Sequence, residues 1–181
     1  MGRETIYITR KIPKSLLADL EENFSVRMWE KEDEAVPREV LLEEAKTADG
    51  LLTVLSDRVD EELLSQAANL KIVANLAVGY DNIDLEAAKK HGVTVTNTPD
   101  VLSETTADLG FALLMATARR VVEANDFIKN NQWKEWAPYL LAGSDIHHKT
   151  IGILGMGRNR GSYSETCHRI QYEHSLSQPY T

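Results

Sequence analysis

Two runs in this chain, "GLLTVLS" at 50–56 and "KIVANLAV" at 71–78, are almost unbroken in apolar residues. A strand with one wet face alternates apolar and polar side chains, whereas a strand covered on both faces does not. Both runs therefore read as central strands of a parallel sheet. Three more β-rich stretches accompany them: "TIYIT" (5–9), "FSVRMW" (24–29) and "VTVTN" (93–97). Helical patterns separate the five. "KSLLADLEEN" puts Leu16, Leu17 and Leu20 on one face, and "PREVLLEEAKTA" opens on Pro37, a residue suited to a first turn. "DEELLSQAA" follows, then "DLEAAKKHG", with Asp84 as N-cap and Gly92 as the C-terminal stop. Strict β-α alternation implies a parallel sheet with helices on both faces, a flavodoxin-like α/β domain over 1–98.

Pro99 punctuates that unit. The pattern beyond it predicts one long helix over 101–130, in which Leu109, Leu113, Ala116 and Arg120 recur at helical spacing. Apolar residues on several of its sides predict burial against more than one partner. "WKEWAPYLLAGSDIHHK" reads as a loop with aromatic anchors, and "TIGILG" (150–155) as a new strand. Residues 99–158 thus read as a connecting helix and the first strand of a second α/β domain.

The net charge of −8 disfavours nucleic acid and anionic membrane as partners. No apolar run approaches the roughly 18 residues that span a bilayer. The N-terminus enters a strand without a signal-peptide core, and the lone Cys167 can form no internal disulfide. A cytoplasmic location is the expectation, and no metal site is expected.

The strand 150–155 runs into Gly155-Met156-Gly157 and Arg158. A G-x-G turn after a strand suits a dinucleotide, because glycine lets the backbone approach the pyrophosphate. Taken alone it reads equally as a tight turn. The third glycine of the usual pattern is missing: Arg160 holds its place and Gly161 comes one step late.

A second stretch, "NLAVGYDNIDLEAAKKHGVTVTNTPDVLSETTADLGFALLMATARR" (75–120), carries more. Its "VGYDNID" and "NTPDVLSETTADL", followed by "WKEWAPYLLAG" and "HHKTIGILGMGR", resemble in their order the D-isomer-specific 2-hydroxyacid dehydrogenases, in particular the glyoxylate/hydroxypyruvate reductase branch. The resemblance covers about residues 3–158, and it implies that 99–158 are the first helix and strand of an incomplete Rossmann domain, the start of the dinucleotide-binding domain. It implies NAD(P)-dependent reduction of a small 2-oxoacid to the 2-hydroxyacid, by a homodimer. It places the substrate loop at Val78-Gly79, with Leu55 and Ser56 on the same rim. Gly79 then lets two backbone N–H groups face a carboxylate with no side chain in the way. Without the resemblance, Gly79 reads as a turn and Leu55 as core. The resemblance also sets Thr106 near the nicotinamide and makes Gly155, Gly157 and Arg158 the cofactor turn. The family's catalytic arginine, acid and histidine fall beyond that turn, and His91, His147, His148, His168 and His174 match none of them.

The stretch from Asn159 departs from the family. Permitted codons for it, read one base later, give I-G-E-A-I-A-R-R-A-I-G-F-N-M-N-T-A-Y-H-N-R. That restores the third glycine and adds a family-like helix and strand. A one-base insertion near codon 159 is therefore expected. Residues 159–181 are then an aberrant, disordered tail, and the chain is a truncated, inactive form with weak or no cofactor binding. The restored "YHNR" ends its strand on a basic residue, which points to NADPH rather than NADH. Two other readings compete: a non-catalytic flavodoxin-like binding or dimerisation fragment, and a phospho-receiver. The latter is weakened because Thr9-Arg10 follows the first strand, where acidic residues are needed.

Overall fold

The computed structural model describes residues 2–154 and 173–177. It divides into two compact units, Met1–Asp100 and Val101–Thr181.

The first unit alternates β1 (Thr5–Ile8), α1 (Lys14–Asn23), β2 (Ser25–Met28), α2 (Arg38–Ala45), β3 (Gly50–Thr53), α3 (Glu61–Gln66), β4 (Ile72–Asn75), α4 (Leu85–Lys90) and β5 (Thr94–Thr96). Every pairing is parallel and the strand order is β2-β1-β3-β4-β5. The alternation implied the parallel pairing, and the order is that of a flavodoxin-like sheet. Register aligns Tyr7, Leu51, Val73 and Val95 in one row across the sheet. The first three are at most 2% exposed and join Leu41, Leu63, Leu64 and Val59 in the core. Burial, together with the nearby Glu44 and Asp57 carboxylates, pushes the Tyr7 phenol up to about 12.

The helix ends follow the local chemistry. Asp84 accepts a hydrogen bond from Ala87 N at 2.9 Å, the N-cap read from sequence, and Gly92 adopts φ +70 just past α4. Pro37 stands one position before α2 as its N-cap. Leu17 is buried on α1, but Leu16 is 61% exposed, so the expected three-leucine face is narrower.

Strands β3 and β4 stop three residues short of their apolar runs. After β3, Asp57 N donates to Val54 O at 3.0 Å and closes a β-turn, while the Asp57 carboxylate accepts from Val54 N at 2.8 Å. After β4, the Asn75 side chain draws in the chain ahead of it. Hydrogen-bond geometry ends both strands where hydrophobicity would continue them.

The second unit holds α5 (Ser103–Ala118), α6 (Val121–Lys129), β6 (Thr150–Leu154) and β7 (Glu173–Ser177). The single helix expected over 101–130 is two. Arg120 takes the left-handed conformation, φ 54, between them. The reason lies at Ala118, whose carbonyl accepts from Ser144 N at 2.8 Å instead of continuing the helical ladder. Among the described residues of α5 and α6 only Ala107 is buried, and Leu109 and Leu113 are 60% and 58% exposed. The expectation of a wholly disordered tail over 159–181 also fails in part. Residues 173–177 pair in parallel with β6, in register from Thr150↔Glu173 to Leu154↔Ser177. Backbone N–H and C=O groups of an open strand demand partners whatever the partner's side chains.

Candidate functional site

The order β2-β1-β3-β4-β5 changes direction between β1 and β3, and ligands of open α/β sheets bind beyond the carboxyl ends of the strands at such a switch point. Three loops meet there: Thr9-Arg10 after β1, Val54–Asp57 after β3, and Leu76–Asn82 after β4.

Asp57 is the hub of the first two. Its side chain is 1% exposed. One carboxylate oxygen accepts from the Thr9 hydroxyl and from Val54 N. Arg10 reaches across the switch point, with Nη2 4.0 Å from the Asp57 carboxylate and donating to Ser56 Oγ at 2.7 Å. Because Ser56 accepts from Arg10, its own O–H remains available to donate outward. A receiver-type acceptor carboxylate would have to be open to its phosphodonor; Asp57 is engaged inside.

The loop after β4 is held from behind by asparagines. Parallel register sets Thr53 beside Asn75, and Thr53 Oγ1 donates to Asn75 Oδ1 at 3.0 Å. Asn75 Nδ2 in turn donates to the Gly79 carbonyl at 3.0 Å and to Asn82 Oδ1 at 3.1 Å. Asn97, just past β5, donates to the Val78 carbonyl at 2.8 Å. Asn82 Nδ2 closes the set on the carbonyls of Asp57 (2.8 Å) and Val54 (3.3 Å). Both carbonyls of Val78-Gly79 are thereby occupied. Among the described residues, neither Val78 N nor Gly79 N has a protein acceptor. A Cβ built on Gly79 meets nothing within 4 Å. The loop therefore offers two successive N–H groups without a protein acceptor, with open space where a Cβ of Gly79 would stand, and such groups can serve one carboxylate or other small anion.

Leu55 and Ser56 line an open cavity of about 400 Å3 together with Arg58, Asp60, Asp81 and Asn82, among others. Val78 and Gly79 are not among its lining residues. The structure thus joins the four candidate substrate residues through hydrogen bonds of their loops rather than in one pocket. Leu55 is 64% exposed, hence not core. Thr106 lies exposed in the first turn of α5, its N–H donating to Leu102 O at 2.9 Å. Gly155, Gly157 and Arg158 lie outside the described residues. Sequence reading missed Arg10, Asn75, Asn82 and Asn97. A polar residue inside an apolar run, as Asn75 is in 71–78, was the one signal available for them.

These loops match a known pattern. The family model for the catalytic domain of D-isomer specific 2-hydroxyacid dehydrogenases matches residues 6–172. The chain belongs to this family. The match runs past residue 158, where the quoted motifs end. The glyoxylate reductase of Pyrococcus horikoshii is 52% identical over 157 residues, covering 84% of this chain and 47% of that enzyme. That of Aeropyrum pernix is 46% identical over 162 residues, 87% and 48% of the two chains. The chain thus spans about half the length of these curated relatives. Among solved structures, the TT0316 protein of Thermus thermophilus superposes with a TM-score of 0.90 at 36% identity, over 98% of this chain and 57% of that one. The NAD+-bound 3-phosphoglycerate dehydrogenase of Entamoeba histolytica gives 0.72 at 26% identity, over 99% and 55%. Among the described residues no helix is long and apolar enough to cross a membrane, and no group of three or more His, Cys, Asp or Glu could hold a metal ion.

Proposed function

We propose that residues 1–98 are the acid-binding part of a 2-hydroxyacid dehydrogenase that reduces glyoxylate or hydroxypyruvate, and that 99–158 begin its dinucleotide-binding domain. The observation that carries this is the pair of unpartnered N–H groups at Val78 and Gly79, with their carbonyls tied back and open space above Gly79. The names of the relatives support the choice of a small 2-oxoacid.

In this reading the substrate carboxylate lies on Val78 N and Gly79 N, and the Ser56 hydroxyl, fixed by Arg10, donates to an oxygen of the same ligand. A nicotinamide cofactor supplies the hydride in such a reaction. Thr106 and the Gly155–Arg158 turn are the residues proposed to meet it, with NADPH preferred to NADH. The enzyme works in the cytoplasm as a homodimer, for which the exposed Leu109 and Leu113 of α5 offer apolar surface.

In this reading the described residues of the first unit bind the acid and supply no histidine for its turnover. The described histidine of the first unit, His91, lies 3.1 Å from Glu61 at the far end of α4 and not at the candidate site. Losing general acid catalysis costs about a hundred- to ten-thousand-fold in rate. The departure from family pattern at Asn159 fits a reading frame shifted from that point.

Calorimetric titration of the purified chain with glyoxylate, beside an NADPH-oxidation assay, tests the proposal. It expects saturable binding that Gly79→Val abolishes, and no measurable turnover. Binding unaffected by Gly79→Val would count against the site. Turnover at the level of an intact enzyme would count against the inactive form.

A further inference from the structure

We propose that Asn75 and Asn97 are positioning residues, whose side-chain amides hold the Gly79 and Val78 carbonyls and so fix the two peptide planes that flank Gly79, aiming its N–H at the substrate carboxylate. The inference rests on the reading of Val78-Gly79 as the acid site and deepens it.

A peptide unit is planar, so a carbonyl and the N–H that follows it point in opposite directions. Fixing the Val78 carbonyl on Asn97 Nδ2 at 2.8 Å therefore fixes the direction of Gly79 N–H. Fixing the Gly79 carbonyl on Asn75 Nδ2 at 3.0 Å sets the plane beyond it, and so the other side of the glycine. A glycine in a loop would otherwise sample many orientations at little cost. Without the two amides, the Gly79 N–H would have to be ordered at the expense of ligand binding, whereas the Val78 N–H shares a plane with the Ala77 carbonyl, already held by Thr98 N at 2.9 Å. The carbonyl lone pairs would also be free to turn toward an anion and repel it.

The two asparagines differ in how they are held. Asn75 is 1% exposed, and all of its polar side-chain atoms are engaged: Oδ1 accepts from Thr53 and Nδ2 donates to Gly79 and Asn82. It acts as a buried strut whose orientation is set by the sheet. Asn97 stands at the end of β5, half-buried, and its amide reaches Val78. The loop is thus clamped by β4 from inside and by β5 from outside. Neither side chain touches the acid in this account. Their contribution is to the shape of the empty site, so the loss expected on substitution is one of affinity.

The test uses the full 181-residue chain, isotopically labelled, with sodium glyoxylate as the probe. Asn97→Leu keeps the approximate shape of the side chain and removes its donor. Three readouts are taken: amide shifts of Val78 and Gly79 during titration, the carbonyl carbon shift of Val78, and the thermal midpoint. Wild type is expected to show saturable shifts at both amides. Asn97→Leu is expected to move the Val78 carbonyl resonance, to weaken glyoxylate binding about fivefold to thirtyfold, as loss of one or two kcal/mol would, and to shift the thermal midpoint by less than about 4 °C. Asn75→Leu is expected to weaken binding at least as much, with a larger loss of stability because its partner Thr53 is buried with it. If wild type binds at these amides and Asn97→Leu binds equally well, the positioning role is overturned while the site stands. If glyoxylate moves neither amide in wild type, the acid site itself is overturned and the positioning role with it.

Discussion

Asn82 donates from Nδ2 to the main-chain carbonyl of Asp57 at 2.8 Å, latching the loop after β4 to the loop after β3. The parallel bridge of Val59 with Ile83 continues the same latch, through Val59 N to Asn82 O at 2.9 Å and Asp84 N to Val59 O at 2.8 Å. The two loops proposed to hold the substrate therefore move as one body. Neither can be re-aimed without breaking hydrogen bonds of the other.

Asp57→Ala is expected to be among the most damaging single substitutions in the first unit. It removes the acceptor of the buried Thr9 hydroxyl and of Val54 N, and strips Arg10 of its carboxylate. Breaking a buried pair of this kind costs about 3–5 kcal/mol. Asp57→Asn, which keeps an acceptor toward Thr9, should lose less. Urea unfolding of the two variants beside wild type checks the order.

Acid should weaken the sheet through Asp49 and Asp60. The Thr5 N–H, at 2.9 Å, and the Lys71 ammonium, at 3.3 Å, hold the Asp49 carboxyl below its ordinary 3.8. For Asp60 partial burial pushes upward, but Arg38 and the Leu63 N–H outweigh it and the net direction is down. Both groups bind a proton less readily folded than unfolded. Their stabilisation is complete above the unfolded value and is lost as pH falls through the folded values. The urea midpoint should drop between about pH 5 and pH 2. It should drop less in Asp49→Asn, and an identical acid profile in that variant would refute the assignment.

Gly79→Ala separates binding from folding. Its Cβ would enter open space, and the residue's φ lies outside the left-handed region, so stability should change by less than about 0.5 kcal/mol. The methyl group would occupy the approach path of a carboxylate. Thermal unfolding should be unmoved while glyoxylate affinity falls.

In the second unit Gly143→Ala should act the other way. A Cβ there would lie 2.3 Å from the Ala118 carbonyl oxygen and 2.9 Å from Arg119 Cα, both backbone atoms that cannot swing aside. The loop must retreat and surrender the Ser144 N to Ala118 O bond. Hydrogen exchange of Ser144 N should accelerate strongly, and the break between α5 and α6 should lose definition.

The fold was legible because strand and helix alternate and two strands are apolar on both faces; the parallel order follows from that. The site was legible only in outline. Val78-Gly79 and Leu55-Ser56 were reached through family motifs, not through periodicity. The run "GLLTVLS" gives no warning that Val54–Asp57 turns, because the turn is made by a carboxylate three residues on. Nor does "ETTADLGFALLMATARRVV" announce a break at Arg120, since what ends α5 is a contact from Ser144, distant in sequence. Backbone partners from elsewhere in the chain decided both, and a window of local pattern does not contain them.

The most direct test of the account is a crystal structure of the chain grown with glyoxylate. It should show the carboxylate about 3 Å from both Val78 N and Gly79 N, with the Ser56 hydroxyl turned toward the ligand and the Asn97 and Asn75 contacts kept. A carboxylate seated instead on Arg58 in the neighbouring cavity, with Val78-Gly79 empty, would contradict it.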